Sequence, residues 1–301
     1  MGKHFYSCGK LLLTGEYAVL KGANALALPT KLGQHLIVKP SSSPKVLSWI
    51  AKDEKDNTWF NCTFSLETMS LIDSSDLEVS KRLLKMLTFC KSKSSFINEG
   101  SFEVTTKNEF PNNYGLGTSS TLINNLAYWA NIDPFPILKE CFSGSGFDLA
   151  VAQCNDAVNY KLSNNQPNWQ KEEVSFPFKD NLFFVHLNQK AVSRNSIKGK
   201  IEFSKEQLRR ISEISNSINK VNSLAEFEML LNDHEVIISQ AIGKTPIKRA
   251  LFPSFDRTIK SLGAWGGDFI LATGEKTYVE KFFRSRGYNS IFKYSELILK
   301  S

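Results

Sequence analysis

Apolar residues at Leu77, Val79, Leu83, Leu84 and Leu87 recur at a helical period, and the spacing predicts an amphipathic helix over 77–89. Upstream the chain reads as strands and turns. Residues 4–13 run into Thr14-Gly15-Glu16, the apolar stretch 17–20 closes on a turn at Lys21-Gly22, and 36–38, 46–50 and 59–64 are strand candidates between serine- and lysine-rich turns. Residues 102–106 alternate as a further strand. Leu122, Ile123, Leu126 and Trp129 fall three and four residues apart, which predicts a helix over 121–132. A shorter helix is expected over 136–142, and another apolar segment begins at Leu149.

The stretch 164–171 is polar, contains a proline and has no periodicity, so a boundary is expected near it, between units 1–170 and 171–301. The second unit reads as a strand at 182–187, a loop through 190–200 and two long helices. Capping boxes at Ser204-x-x-Gln207 and Ser223-x-x-Glu226 mark their starts. A helix over 253–262, the run GAWGGDF, a strand at 269–273, a helix at 277–286 and a closing strand at 291–299 follow. This order predicts an α+β sandwich with an antiparallel sheet.

Composition narrows the class little: 42% hydrophobic and 22% charged residues describe a globular chain with a real core. The net charge of +7 is compatible with an anionic partner. The lysines are scattered, however, as at Lys52 and Lys55 or Lys198 and Lys200, and no basic arm, RNP box or zinc finger accompanies them, which argues against nucleic acid. Cys8, Cys62, Cys90, Cys141 and Cys154 are widely spaced without a CxxC pair, and the four histidines are isolated, so a structural metal site is not expected. Free thiols and a start without the apolar core of a signal peptide predict a cytoplasmic protein, and the apolar runs are too short to span a bilayer.

The candidate chemistry lies in glycine-rich turns. Gly115-Leu116-Gly117-Thr118-Ser119-Ser120 joins a strand to a helix, where first-turn amides lack partners and the helix dipole favours an anion. A simple N-cap would need only one hydroxyl, so by themselves the residues fit both a phosphate cradle and a well-capped helix start. A Walker loop is absent: Gly243-Lys244-Thr245 has Ile238 where the first glycine belongs. A dinucleotide fingerprint would need glycine at position 120, which is Ser120. Gly144-Ser145-Gly146-Phe147-Asp148 sets a carboxylate at a helix start, as catalyst or as plain cap. Gly263-Ala264-Trp265-Gly266-Gly267-Asp268 carries more glycine than one turn requires.

Together these segments resemble the GHMP kinases, the family of galactokinase, homoserine kinase, mevalonate kinase and phosphomevalonate kinase. Gly9-Lys10-Leu11 with Gly15-Glu16-Tyr17-Ala18-Val19-Leu20 looks like the GK…GEYAV opening of its mevalonate-pathway members. Pro111 through Ser120 resembles the PxxxGLGSSAA phosphate loop, Ser143–Asp148 is similar to the SGSGFD of phosphomevalonate kinases, and Gly263–Gly267 looks like the third glycine motif.

The resemblance implies an N-terminal lobe of the ribosomal S5 domain 2 type, a ferredoxin-like C-terminal lobe, and ATP with Mg²⁺ and a small-molecule acceptor between them. A monomer or homodimer that uses neither nucleic acid nor membrane is expected. Gly115, Leu116, Gly117, Thr118, Ser119 and Ser120 would wrap the ATP phosphates, with Ser119 on magnesium. Asp148 would take the acceptor proton, and Lys10 would hold it ionised and stabilise the transferring phosphoryl group. Glu16, Tyr17, Ser145, Gly263, Gly266 and Gly267 would border the acceptor or complete the third motif, with the 190–198 loop (Ser193, Asn195, Ser196) as a further substrate segment. The acceptor expected is mevalonate or 5-phosphomevalonate. Two departures stand out: Trp265 replaces a small residue, and the 118–147 segment is shorter than in mevalonate kinase, so the helix bearing the second, glutamate magnesium ligand looks truncated and Glu140 does not match its spacing. A catalytically impaired GHMP-fold protein that binds nucleotide or metabolite is therefore the alternative.

Overall fold

The computed structural model describes residues 2–43, 45–98, 100–188 and 201–299. The chain divides into two compact units, one built from residues 1–9, 32–112 and 116–153, the other from 10–31, 113–115 and 154–301. Two long strands, β1 (Lys3–Thr14) and β2 (Ala25–Pro40), each contribute residues to both.

In the first unit, β3 (Val46–Lys52), β4 (Thr58–Ser65) and β5 (Ser70–Ser74) form a meander. Helix α1 (Leu77–Lys93) then returns the chain to β6 (Phe102–Asn108), which lies parallel to β3 and antiparallel to β2. A parallel pair requires such a crossover. Asp76 starts α1 by accepting from the amides of Glu78 and Val79, and Leu83, Met86, Leu87 and Cys90 are its buried stripe. They pack with Trp49, Phe60 and Phe64 of the sheet and with Ile123, Leu126 and Trp129 of α2 (Thr118–Ala130). Two short helices, α3 (Pro134–Cys141) and α4 (Phe147–Cys154), complete the unit.

In the second unit, residues 25–27 of β2 pair with β7 (Val158–Ser163), which pairs with β8 (Gln166–Lys171). The segment 164–171, which shows no periodicity in the sequence, is thus half of a hairpin. Asn164 and Asn165 occupy its turn at φ 52° and 59°, a conformation asparagine tolerates better than most residues. A second, antiparallel sheet has β9 (Leu182–His186) between β11 (Phe269–Thr273) and β12 (Ile291–Lys293), with β10 (Ile259–Leu262) beyond β11. Helices α5 (Lys205–Ser217), α6 (Leu224–Ile242), α7 (Ile247–Leu251), α8 (Lys276–Arg284) and α9 (Tyr294–Leu297) accompany it.

The reciprocal capping box forms at Ser204 and Gln207, whereas Ser223 only accepts from the Glu226 amide. The helix expected over 253–262 is absent: α7 ends at Leu251, and Ile259–Leu262 form β10, all four residues buried and paired with β11. Burial on both faces removed the periodicity that would have announced a strand. The closing strand likewise stops at Lys293, where the Glu296 carboxylate accepts from the Lys293 amide and opens α9. The predicted substrate loop at 190–198 lies outside the described residues. Among those described, no helix is long and apolar enough to cross a membrane.

Candidate active site

The loop before α2 places its hydroxyls in two classes. Gly117, at φ 98° and ψ 37°, is a left-handed N-cap without a side chain, and the first helical bond runs from Thr121 N to Gly117 O. The amides of Thr118, Ser119 and Ser120 therefore precede the helical ladder. The Ser120 and Thr121 hydroxyls are turned back onto the helix, donating to Gly117 O at 2.9 and 3.2 Å. Those of Thr118 and Ser119 make no hydrogen bond among the described residues, and Ser119 is exposed. Leu116 between the two glycines is fully buried and anchors the loop.

Thr118 and Ser119 open onto a cavity of about 150 Å³ in the same unit. Trp49, Trp59, Phe60 and Phe142 line it, with the Arg82 guanidinium 5.7 Å from the Phe142 ring centroid. No sequence motif announced this aromatic cleft, because its walls come from four strands, two helices and the residue that follows α3. Asp148 is the second residue of α4, half-buried between buried Phe147 and Leu149, and Gly146 O receives the amides of Leu149 and Ala150. Among the described residues of its unit no hydrogen bond or ion pair engages the Asp148 carboxylate. Ser145, just before, is buried.

The remaining candidates belong to the second unit. Lys10 Nζ donates to Gly115 O at 3.1 Å. Gly115 has φ 65°, and a Cβ there would sit 2.0 Å from Asp268 Oδ2, so the carboxylate that follows Gly266-Gly267 lies directly against the first glycine of the 115–117 turn. Gly263 and Gly266 take φ 70° and 79°, values open to glycine, and Gly267 N donates to Ala264 O at 3.3 Å. Trp265 is buried, and its amide donates to Tyr17 Oη at 2.8 Å, which ties this loop to the Glu16-Tyr17 turn.

Glu16 itself is interior. Its carboxylate receives the Lys260 ammonium, which also donates to Ser261 O at 2.7 Å. His234 Nε2 accepts the Gly15 amide at 2.8 Å, so the ring is neutral with its proton on Nδ1, and the 3.4 Å approach of Nε2 to Glu16 Oε2 is a contact and not an ion pair. Burial, with Lys260 adding, holds the His234 pKa well below its usual value. Burial pushes the Glu16 carboxyl up against the opposing pull of Lys260, and pushes Glu235 up to about 7. No sequence signal marked this cluster, since Lys260 lies in Ile-Lys-Ser-Leu within the segment expected as a helix; for Asp268 the signal was an acid directly after Gly266-Gly267.

The hydroxyls of Thr118 and Ser119, three amides outside the ladder and a side-chain-free cap form a donor set that fits a polyphosphate and a hard cation. Among the described residues no group of three or more His, Cys, Asp or Glu side chains could hold a metal ion, so a cation here would depend on hydroxyl and phosphate oxygens.

No protein-family model and no curated protein matches the chain. Solved structures do. Methanococcus jannaschii mevalonate kinase superposes with a TM-score of 0.74 at 16% identity, over 100% of this chain and 99% of that one. Streptococcus pneumoniae phosphomevalonate kinase in complex with phosphomevalonate and AMPPNP gives 0.71 at 16% identity, over 97% and 99%. Lactococcus lactis galactokinase complexed with galactose gives 0.70 at 15%, over 100% and 94%. The chain has the fold of the GHMP kinases.

Proposed function

We propose that the chain is an ATP-dependent small-molecule kinase whose acceptor is mevalonate or 5-phosphomevalonate. The observation that carries this reading is the pair of unengaged hydroxyls, Thr118 and Ser119, at an uncapped helix start that opens onto an aromatic cavity. The amides of residues 118–120 and the helix dipole bind the phosphates, and the cavity walls take the purine between apolar faces. Magnesium, held by the Ser119 hydroxyl, would neutralise charge on the phosphates.

Asp148 accepts the proton carried by the attacking acceptor oxygen, the hydroxyl of mevalonate or a phosphate oxygen of 5-phosphomevalonate. The acceptor oxygen forms a bond to the γ-phosphorus as the bond from that phosphorus to the ADP oxygen breaks, and ADP leaves with the electron pair. Lys10 and Asp268 act on the loop through Gly115, whose carbonyl Lys10 holds and whose Cα faces the Asp268 carboxylate. The preference for mevalonate or 5-phosphomevalonate over a sugar rests on the Gly15–Leu20 and Ser143–Asp148 motifs.

An ADP-release assay against a panel of mevalonate, 5-phosphomevalonate and galactose tests the reading. Turnover with one of the first two, lowered on the order of a thousandfold by Asp148→Asn, is the expected result. Failure of every acceptor, or full activity of the variant, overturns it.

A further inference from the structure

The second unit carries a polar groove of about 480 Å³ that none of the chemistry above uses. Its floor is one face of the β7–β8 hairpin. Asn159 stands opposite Gln170 and Lys161 opposite Asn168, a two-by-two array of polar side chains. Val158 and Tyr160, on the alternate positions, are fully buried, so the hairpin cannot turn this face inward.

Asn24 and Asn216 form a wall, and the three asparagines interlock. Asn216 Oδ1 accepts from Asn24 Nδ2 at 2.7 Å and from Asn159 Nδ2 at 2.8 Å. Ser212 Oγ accepts the Asn24 backbone amide at 3.0 Å, which fixes the wall further. In this arrangement both donating amides present Nδ2 to the one Asn216 oxygen. What remains is Oδ1 of Asn24 and of Asn159 as acceptors and Nδ2 of Asn216 as donor, none with a protein partner among the described residues. Lys161 and Lys220 flank them, and neither makes an ion pair or hydrogen bond among those residues. The one carboxylate in the groove, Glu172, is engaged by Asn219 Nδ2 at 2.7 Å.

Acceptors and a donor held in fixed orientation match the hydroxyls of a polyol, each of which both donates and accepts. Two unpaired ammonium groups beside them match an anion. No aromatic ring lines the groove, so it offers no stacking platform for a base. We propose that this groove is a binding site for a phosphorylated polyol, its hydroxyls on Asn24, Asn159 and Asn216 and its phosphate on Lys161 and Lys220. The site stands independently of the kinase reading.

Calorimetric titration of the full chain with glucose 6-phosphate, ribose 5-phosphate, glucose and inorganic phosphate tests it. At least one sugar phosphate is expected to bind saturably and more tightly than both glucose and phosphate. Asn216→Ala and Lys220→Ala should each weaken that binding about tenfold, the scale of one lost hydrogen bond or charge contact. Asn168→Ala, at an exposed position whose side chain makes no hydrogen bond among the described residues, serves as a variant without a folding penalty and should weaken it in the same direction. Ser119→Ala should leave it unchanged. Absence of saturable binding by either sugar phosphate at millimolar concentration overturns the proposal. So does binding no tighter than that of inorganic phosphate, indifference to all three groove variants, or loss on Ser119→Ala.

Discussion

The Lys260 ammonium donates to the Glu16 carboxylate at a place where the two side chains are 1% and 2% exposed. Glu16 belongs to the turn before Tyr17 and Lys260 to the strand before the third glycine loop, so the pair and the Trp265–Tyr17 bond fasten the same two segments. Removing one partner strands a buried charge at a cost of about 3–5 kcal/mol. Lys260→Met should therefore lower the urea midpoint strongly, and Glu16→Gln combined with it should recover part of the loss. A single variant as stable as wild type would refute the pair's role.

Stability should fall between pH 4.5 and about 7 because of Glu235. Its carboxyl is raised from the ordinary 4.5 to about 7 by burial, so the folded state holds the proton that the unfolded chain has already lost. That contribution is complete below 4.5 and disappears as pH rises through 7, with a ceiling of about 3 kcal/mol. Glu16 is shifted in the same direction, whereas His234, held neutral, makes stability rise as pH climbs toward 6.5. Subtracting the unfolding profile of Glu235→Gln from that of wild type isolates the first effect. A difference that is flat over this window would count against it.

Gly115→Ala should damage the 115–120 loop by two routes. The new Cβ would meet Asp268 Oδ2 at 2.0 Å, and φ 65° is strained for alanine. Together these should cost about 1–3 kcal/mol and weaken binding of a non-hydrolysable ATP analogue. Adding Asp268→Ala relieves only the steric part, so partial recovery in a thermal melt is expected. If the double variant behaves like the single one, strain alone is responsible.

Ser119→Ala and Ser120→Ala should separate chemistry from stability. The Ser119 hydroxyl has no described partner, so its loss should leave the melting temperature unchanged and reduce turnover on the order of a hundredfold. The Ser120 hydroxyl is buried on Gly117 O, so its loss should cost about 1 kcal/mol. The opposite pattern would exchange the two roles.

The sequence by itself determined the local structure wherever one face of an element meets solvent. Alternation or helical spacing then shows directly, as in α1 and α8, and the glycine turns at 115–117 and 263–267 declare themselves because other residues avoid positive φ. Order of motifs was likewise legible, and with it the fold. Tertiary structure decided what lies far apart in sequence. Lys260 is an unremarkable lysine until β10 is buried on both faces and Glu16 is brought to it. Asp268 is only an acid after two glycines until it meets Gly115. Trp49, Trp59 and Phe142 are core-like aromatics until they form one cleft beside Ser119. Ser119 and Ser120 read alike as letters, and only the path of the helix turns one hydroxyl inward and leaves the other without a partner among the described residues. Periodicity reports the environment of one segment, whereas a site is assembled from several, and the energy that fixes it, burial of charge and close approach of backbone, exists only once those segments have met.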